Sequence, residues 1–418
     1  MWGLHNARMP DQDIRRVLAA EAVSNFGTML SRLAVPWLAA LSLQATPLQM
    51  SALLVADVVA AALGSLWLGG WIERRGKRAV MQIADGARAA LLGLLALGAW
   101  MESLTMALLV AAAAASGLFT VAFELARSAW MAQRVAEPDL PQRNAQLAVA
   151  GSLSETAAFA LGGWLYQGLG AALALAADAA SYAVSALCLR GVREVREVAP
   201  APADAKASAW QQLRADVAEG LCAIRLRPAL RALTGVEALL SFAMALTGTS
   251  YMIYVSRDIA VPTGPMGMIA ALGALGAVAG GSLAPWLGRR LGAGRTMGLG
   301  LVAFALGAAC IPMAQGLGWA AMAWLVAHQI VGDAGHTLYG VHDRTVRQTA
   351  VPPELLSRVD AGIRTAGQLA TLAGAVVGGV LGTATDARTV LWAAVACAAA
   401  AAALALARLQ SVGPGKPA

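Results

Sequence analysis

Charge is scarce in this chain: Asp, Glu, Lys and Arg make up 13% of its 418 residues, against about a quarter in soluble domains. Histidine and cysteine are rare as well, with four of each. Cys188, Cys222, Cys310 and Cys397 stand far apart without a CxxC spacing, so neither a metal ribbon nor a dithiol redox motif is present. No G-x-x-x-x-G-K-[ST] run occurs, which removes direct drive by ATP. Disorder is excluded too, because it needs low hydrophobicity and high charge. What fills the chain is apolar: 58% of residues are hydrophobic, 44 are Gly, and the mean hydropathy is +0.63. A soluble fold has nowhere to hide that surface at this charge density. Unbroken apolar runs such as Val390–Ala407 are also far longer than the alternating segments of about 10 residues that build a transmembrane barrel. The chain reads as an all-α polytopic membrane protein.

A spanning helix needs about 20 apolar residues, and twelve such spans can be placed: 14–43, 48–72, 79–100, 104–133, 145–167, 171–190, 229–255, 264–287, 295–315, 319–343, 358–383 and 387–408. The first reads as a retained helix rather than a signal peptide. With both termini cytoplasmic, Arg257 and Arg388 alone among the Lys and Arg outside the spans fall on the outer side, as the positive-inside rule requires. The net charge of +7 and pI of 9.7 are therefore read as loop bias, not as a nucleic-acid surface.

Residues 191–227 interrupt the apolar pattern. Arg193, Glu194, Arg196 and Glu197 are followed by a Pro/Ala stretch, then by Trp210, Leu213, Val217 and Leu221 at helical spacing opposite charges. A cytoplasmic linker with one amphipathic surface helix is expected there. It separates an N-terminal six-helix half, 1–190, from a C-terminal half, 228–409, with a cytoplasmic tail at 410–418. The halves look like repeats. Gly69, Gly76, Lys77 and Arg78 recur as Gly281, Gly288, Arg289 and Arg290 with identical internal spacing. Pro138, Leu140 and Arg143 recur as Pro353, Leu355 and Arg358, at nearly the same distance along the chain. Parallel repeats about an axis along the membrane normal account for both.

The loop after the second span resembles the best-known motif of the major facilitator superfamily, G-x-x-x-D-R-x-G-R-[RK]. Gly69, Glu73, Arg74, Gly76, Lys77 and Arg78 occupy its places, with Glu73 standing for Asp. Ser31–Trp37, Asp85–Leu91, Leu140–Ala145, Arg347–Pro352 and Leu356–Val359 are similar to the branch of bacterial macrolide, multidrug and enterobactin exporters. The resemblance implies the major facilitator fold, with twelve transmembrane helices as two six-helix repeats. It further implies a multi-pass protein of the bacterial cytoplasmic (inner) membrane that exports an amphiphilic drug or siderophore by proton antiport and alternating access. In the loop, Glu73 is expected to pair with an Arg and latch one conformational state. One departure bears on coupling: Ala158-Phe159 precedes Gly162-Gly163 where antiporters of the superfamily usually carry Gly-Pro.

Ionisable residues inside spans carry the most functional information, because each costs several kcal/mol in the bilayer unless paired or wetted. At 100° per residue, helix 1 places Glu21, Ser24, Asn25, Thr28 and Arg32 on one stripe, and helix 4 does so with Ser116, Thr120, Glu124 and Arg127. Helix 7 aligns Thr234, Glu237 and Ser241; helix 10 aligns His328, Gln329, Asp333, His336, Tyr339 and Asp343. In the resembled fold these four helices line the central cavity, so the stripes are substrate-cavity candidates. Asp57 in helix 2 and Arg32 in helix 1 flank the turn at residues 44–47 at depths differing by about 3 Å, so a salt bridge between them is expected, either as a structural pair or as a proton-coupling site. Asp333 and His336, one turn apart, suit a proton relay. Asp85 and Arg88 read as an i, i+3 pair.

No cofactor or metal is expected; the partners are lipid, protons and a small-molecule substrate, and the chain is read as a monomer. Two rival readings remain. One is proton-independent movement or flipping of a lipid-like substrate. The other, of a different class, is an intramembrane enzyme using Asp333 and His336 as a base pair, or a sensor on a transporter fold.

Overall fold

The computed structural model describes residues 11–135, 139–193, 219–220, 222–316 and 318–410. Helix α1 (Asp11–Trp37) runs into a π-turn, Leu38–Ser42, and is followed by α2 (Pro47–Arg74), α3 (Lys77–Trp100) and α4 (Met106–Arg134). The helical stretch Leu140–Arg190 is broken at Gly170, whose φ of 76° and ψ of 174° leave the helical region, giving α5 (140–169) and α6 (171–190). Then come α7 (Pro228–Ile253) with its π-turn Tyr254–Asp258, α8 (Thr263–Leu291), α9 (Ala293–Met313), α10 (Trp319–Ala350), α11 (Pro353–Ala384) and α12 (Ala387–Arg408). All twelve expected spans are present as helices. Among the described residues, neither α1 nor α10 is apolar enough to count as a span by composition alone. Their polar stripes are the reason.

Gly170 lets α6 fold back after α5 with no connecting loop. Its dihedrals lie in a region that is essentially reserved for Gly and costs other residues about 1–3 kcal/mol. Gly170→Ala is therefore expected to lower thermal stability by a few degrees, measurable as loss of monodisperse protein on heating in detergent, although nothing lies within 4 Å of the added Cβ.

The chain forms two compact units, one of residues 1–39 and 56–199, the other of 40–55 and 200–418. In the first, Ile14, Val17, Val80, Met81, Phe123, Trp130 and Leu189 build the core. The C-terminal end of α6 is held by arginines from three other helices. Arg16, Arg78 and Arg134 donate to the carbonyls of Gly191 (2.5 Å), Val192 (3.0 Å) and Arg193 (3.5 Å), which satisfies carbonyls that a helix end leaves open. Of the linker, Trp210, Leu213, Val217 and Leu221 lie outside the described residues.

In the second unit, Leu230, Leu233, Val236, Met297, Leu301, Val359 and Ile363 build the core. The hairpin at 40–55 belongs to this unit. Ser51 donates to the Ala375 carbonyl at 2.6 Å, and Arg257 in the second π-turn donates through Nε and Nη2 to the Ala40 carbonyl in the first, at 2.9 and 2.5 Å.

The repeat has a single register. Leu38 and Tyr254 open the two π-turns, and matched glycine contacts keep the same spacing along the chain. Gly162 faces Leu30 as Gly378 faces Leu246, and Gly64 faces Leu118 as Gly280 faces Ala334. Gly76 and Gly292, the residues that precede α3 and α9, share that spacing. Matching Gly76 to Gly288, as the loop motif suggests, is thus one helical turn out of register: Gly288 lies inside α8, not at its end.

Candidate functional site

In the first unit, α1 and α4 are joined by an ion pair between Glu21 Oε2 and Arg127 Nε at 3.2 Å. Beside it Asn25 donates to the Gly151 carbonyl of α5 at 3.0 Å. Deeper lies a polar network centred on Arg88, which is 1% exposed. Its guanidinium pairs with Asp85 and donates to Ser24 Oγ (3.2 Å) and Thr120 Oγ1 (3.3 Å). It lies over the rings of Tyr182 and Phe123, 4.3 and 5.2 Å from their centroids. Ser24 and Ser185 donate to Asp85, at 3.2 and 2.5 Å, and the Tyr182 hydroxyl is 3.0 Å from Thr28 Oγ1. Asp178, fully buried, accepts from Ser31. Gly27 permits this approach, since a Cβ there would overlap Ser181 and Asp178. Four helices are thereby tied together by charges that apolar residues would not orient.

Asp57 sits at the crossing of α2 and α4. Its Oδ1 packs on Gly117, where a Cβ would come within 2.6 Å.

In the second unit, Arg347 draws carboxylates from three helices. Asp343 Oδ2 is 2.7 Å away, Asp360 Oδ1 3.6 Å and Glu237 Oε2 3.7 Å, so α7, α10 and α11 meet on one cation. Ser241 donates to Glu237 at 3.4 Å, and the Tyr339 hydroxyl is 3.5 Å from Asp343. Farther along α10, the His336 ring meets Phe304 of α9 at 5.8 Å between centroids. His328 Nδ1 is 3.0 Å from the Gly307 carbonyl, and its ring lies 6.0 Å from that of Tyr251. Gln329 donates to the Ala270 carbonyl of α8 at 3.2 Å. Asp333 presses its carboxylate onto Gly273 of α8, leaving no room for a Cβ.

The sequence of residues 17–359 matches the model of the Major Facilitator Superfamily. The chain belongs to the Major Facilitator Superfamily. No curated protein sequence matches it. Solved structures with the same fold include a bacterial homologue of the iron transporter ferroportin in its inward-facing state (16% identity, 96% of this chain and 100% of that one, TM-score 0.76). A bacterial metal transporter (17%, 95% and 98%, 0.69) and the POT family transporter PepTSo (13%, 98% and 100%, 0.70) are similar as well. The protein is a membrane transporter of the Major Facilitator type, not an enzyme.

Within this superfamily fold, the sequence-derived candidates separate into groups. Glu21 with Arg127 and Glu237 with Ser241 are brought together. Thr28 and Thr120 instead serve the buried Arg88 network, because their hydroxyls are taken by Tyr182 and Arg88. Tyr339, 3% exposed, is part of the apolar core of the second unit rather than a surface-lining group. Glu124 is exposed. In the loop, Lys77 is buried and Arg78 caps α6, while the side chains of Gly69, Glu73 and Arg74 lie outside the described residues.

The expected salt bridge between Arg32 and Asp57 does not form. Arg32 and Asp57 are both exposed and make no contact-distance pair; Asp57 Oδ1 lies against Gly117 instead. Arg32→Gln is accordingly expected to change thermal stability by less than about 1 kcal/mol, read by the melting of the detergent-solubilised protein. Nor does the pattern of α10 join Asp333 to His336 through the ring Nδ1, which has no hydrogen-bond partner: the carboxylate faces α8 and the ring faces α9.

The Arg347 cluster escaped the sequence reading. The i, i+4 spacing of Asp343 and Arg347 signals half of it; Glu237 and Asp360 arrive only through the packing of α7 and α11.

Proposed function

We propose that this transporter exports an amphiphilic small molecule, a drug or siderophore, from the bacterial cytoplasm across the inner membrane by proton antiport and alternating access. One observation carries the reading: within each half an ion pair joins the first helix to the fourth. Glu21–Arg127 bridges α1 to α4 and Glu237–Arg347 bridges α7 to α10. Glu21 and Glu237 are equivalent positions in the register of the repeat. Charges are retained inside a membrane where they act on ions or substrates, and Asp57 and Asp333 supply carboxylates able to bind and release protons. The stretches similar to macrolide, multidrug and enterobactin exporters support outward direction and an amphiphilic substrate. The Gly69–Arg78 segment, which runs from the last turns of α2 into the start of α3 with Glu73 among its basic residues, serves as the gating element, and both termini are cytoplasmic.

The test is accumulation of a panel of lipophilic dyes, macrolides and catecholate siderophores in a deletion strain and its complement. Lower accumulation of at least one compound in the complemented strain, reversed by an uncoupler, is expected. Equal accumulation of every compound contradicts export.

A further inference from the structure

In the register of the repeat, residues 73–79 of the first half correspond to 289–295 of the second, and their chemistry differs. Arg289 stands where Glu73 is, Ala293 where Lys77 is and Gly294 where Arg78 is. Lys77 is buried and Arg78 donates to the Val192 carbonyl. Their counterparts carry no charge, and Gly294 instead lets α9 close on the Leu409 carbonyl at the end of α12. Gly292, with a φ of 83°, is the single residue between α8 and α9, so Arg290 and Arg295 flank one tight turn. The contact at Leu409 brings Arg408 to the same end. Arg289, Arg290, Arg295 and Arg408 are all exposed and make no ion pair among the described residues. Not one Asp or Glu occurs within α8, α9 or α12.

We propose that this end of α8, α9 and α12 binds an anionic phospholipid, its phosphate held by the arginines and its acyl chains laid along α8. The topology proposed above makes this the cytoplasmic leaflet. The site itself does not depend on what drives transport or on its direction.

A free phosphate would account for the arginines but not for what leads up to them. Leu275, Val278, Leu283 and Trp286 are exposed. At 100° per residue they share, within about 140°, the face of α8 that ends in Arg289 and Arg290. From Leu275 to Trp286 the stripe is about 16 Å long, against about 15 Å for one leaflet's share of the hydrocarbon core. Trp286, 44% exposed, marks its end, with the Arg290 guanidinium 4.5 Å from its ring centroid. Its indole N–H makes no hydrogen bond among the described residues, as suits a tryptophan at the level of the headgroups. The order along α8 is thus chain, interface, phosphate. Arginine forks match phosphate oxygens, and no carboxylate competes for them. His342 of α10 packs on Gly288, but its neighbour Asp343 is held by Arg347. The positive-inside bias explains basic residues at this end. It does not explain an apolar stripe of leaflet length that runs into arginines with no acid beside them.

Native mass spectrometry of the full, delipidated chain in neutral detergent tests this, with dioleoylphosphatidylglycerol as the probe. The protein should retain it at concentrations where dioleoylphosphatidylcholine is lost, and excess glycerol phosphate should not displace it. A photoactivatable phosphatidylglycerol should label the peptides around the α8–α9 turn. Near a membrane surface each arginine contributes about 1 kcal/mol to holding an anionic lipid, roughly a factor of five. R289Q/R290Q/R295Q should therefore weaken retention on the order of 100-fold. R15Q/R190Q/R193Q, which removes as many exposed arginines from the first unit, should leave the label in place. Equal loss in that control overturns the proposal, because net charge and not this site then holds the lipid. Equal retention of phosphatidylcholine overturns it as well, and so does displacement by glycerol phosphate, which leaves an ion patch without a lipid. Should the triple glutamine variant not be monodisperse, the labelled peptide of the wild type decides. No transport is read, so failure of the export reading leaves this result intact.

Discussion

Asp333→Asn is expected to abolish uphill export while leaving downhill equilibration of the same substrate intact. Asn matches the carboxylate in size, so the contact with Gly273 of α8 survives and α10 keeps its place. What it lacks is an exchangeable proton on the acid, so the cycle turns over without proton movement. In vesicles under an imposed pH gradient, the accumulation ratio should fall to about one, the value of a carrier with no coupled ion. Loss of folded protein would assign Asp333 a packing role. Weaker substrate binding with coupling preserved would make it a substrate contact.

Arg88→Ala is expected to cost the most stability. Arg88 is 1% exposed and Asp85 is fully buried, so truncating the arginine strands a carboxylate among α1, α3, α4 and α6. Removing one partner of a buried pair typically costs about 3–5 kcal/mol. Here the platform between Tyr182 and Phe123 is lost with it. Arg88→Lys should fail nearly as badly, because an ammonium cannot reach Ser24, Thr120 and Asp85 together as the planar fork does. The double variant D85N/R88M, which removes both charges, should recover part of the loss. The measurement is the fraction of monodisperse protein after stepwise heating in detergent. Melting of Arg88→Ala within a degree of wild type would show the network to be ornamental.

The spans were legible because lipid imposes a length and a composition that no packing detail overrides. The break at residue 170 lay between two expected helices for the same reason. The polar stripes of α1, α4, α7 and α10 were legible as stripes, since helical periodicity fixes which residues share a face. Periodicity does not say what stands opposite. Thr28 and Thr120 share faces with Glu21 and Arg127, yet their hydroxyls answer to Tyr182 and Arg88 on other helices. Depth matching across a hairpin set Arg32 level with Asp57, but a helix also has an azimuth, and Asp57 is turned to Gly117. The Arg347 cluster needed tertiary contacts between helices far apart in the chain. Finally, the repeat is visible on motif residues between the helices, but the Gly76 match stands one helical turn out of register and the Leu140 match one residue out. Helix crossings, where a misplaced Cβ would collide, hold the register more strictly than loops do.

The central claim is coupling of substrate export to inward proton movement. It is tested most directly in vesicles reconstituted with the purified protein, using a compound whose accumulation the protein lowers in cells. A pH-sensitive dye follows protons while substrate is followed at the same time. Outward substrate movement accompanied by inward proton flux, abolished together in the variant lacking both Asp57 and Asp333, is the predicted result. Substrate movement with no proton flux in the wild type would contradict the account and give preference to the proton-independent carrier of a lipid-like substrate.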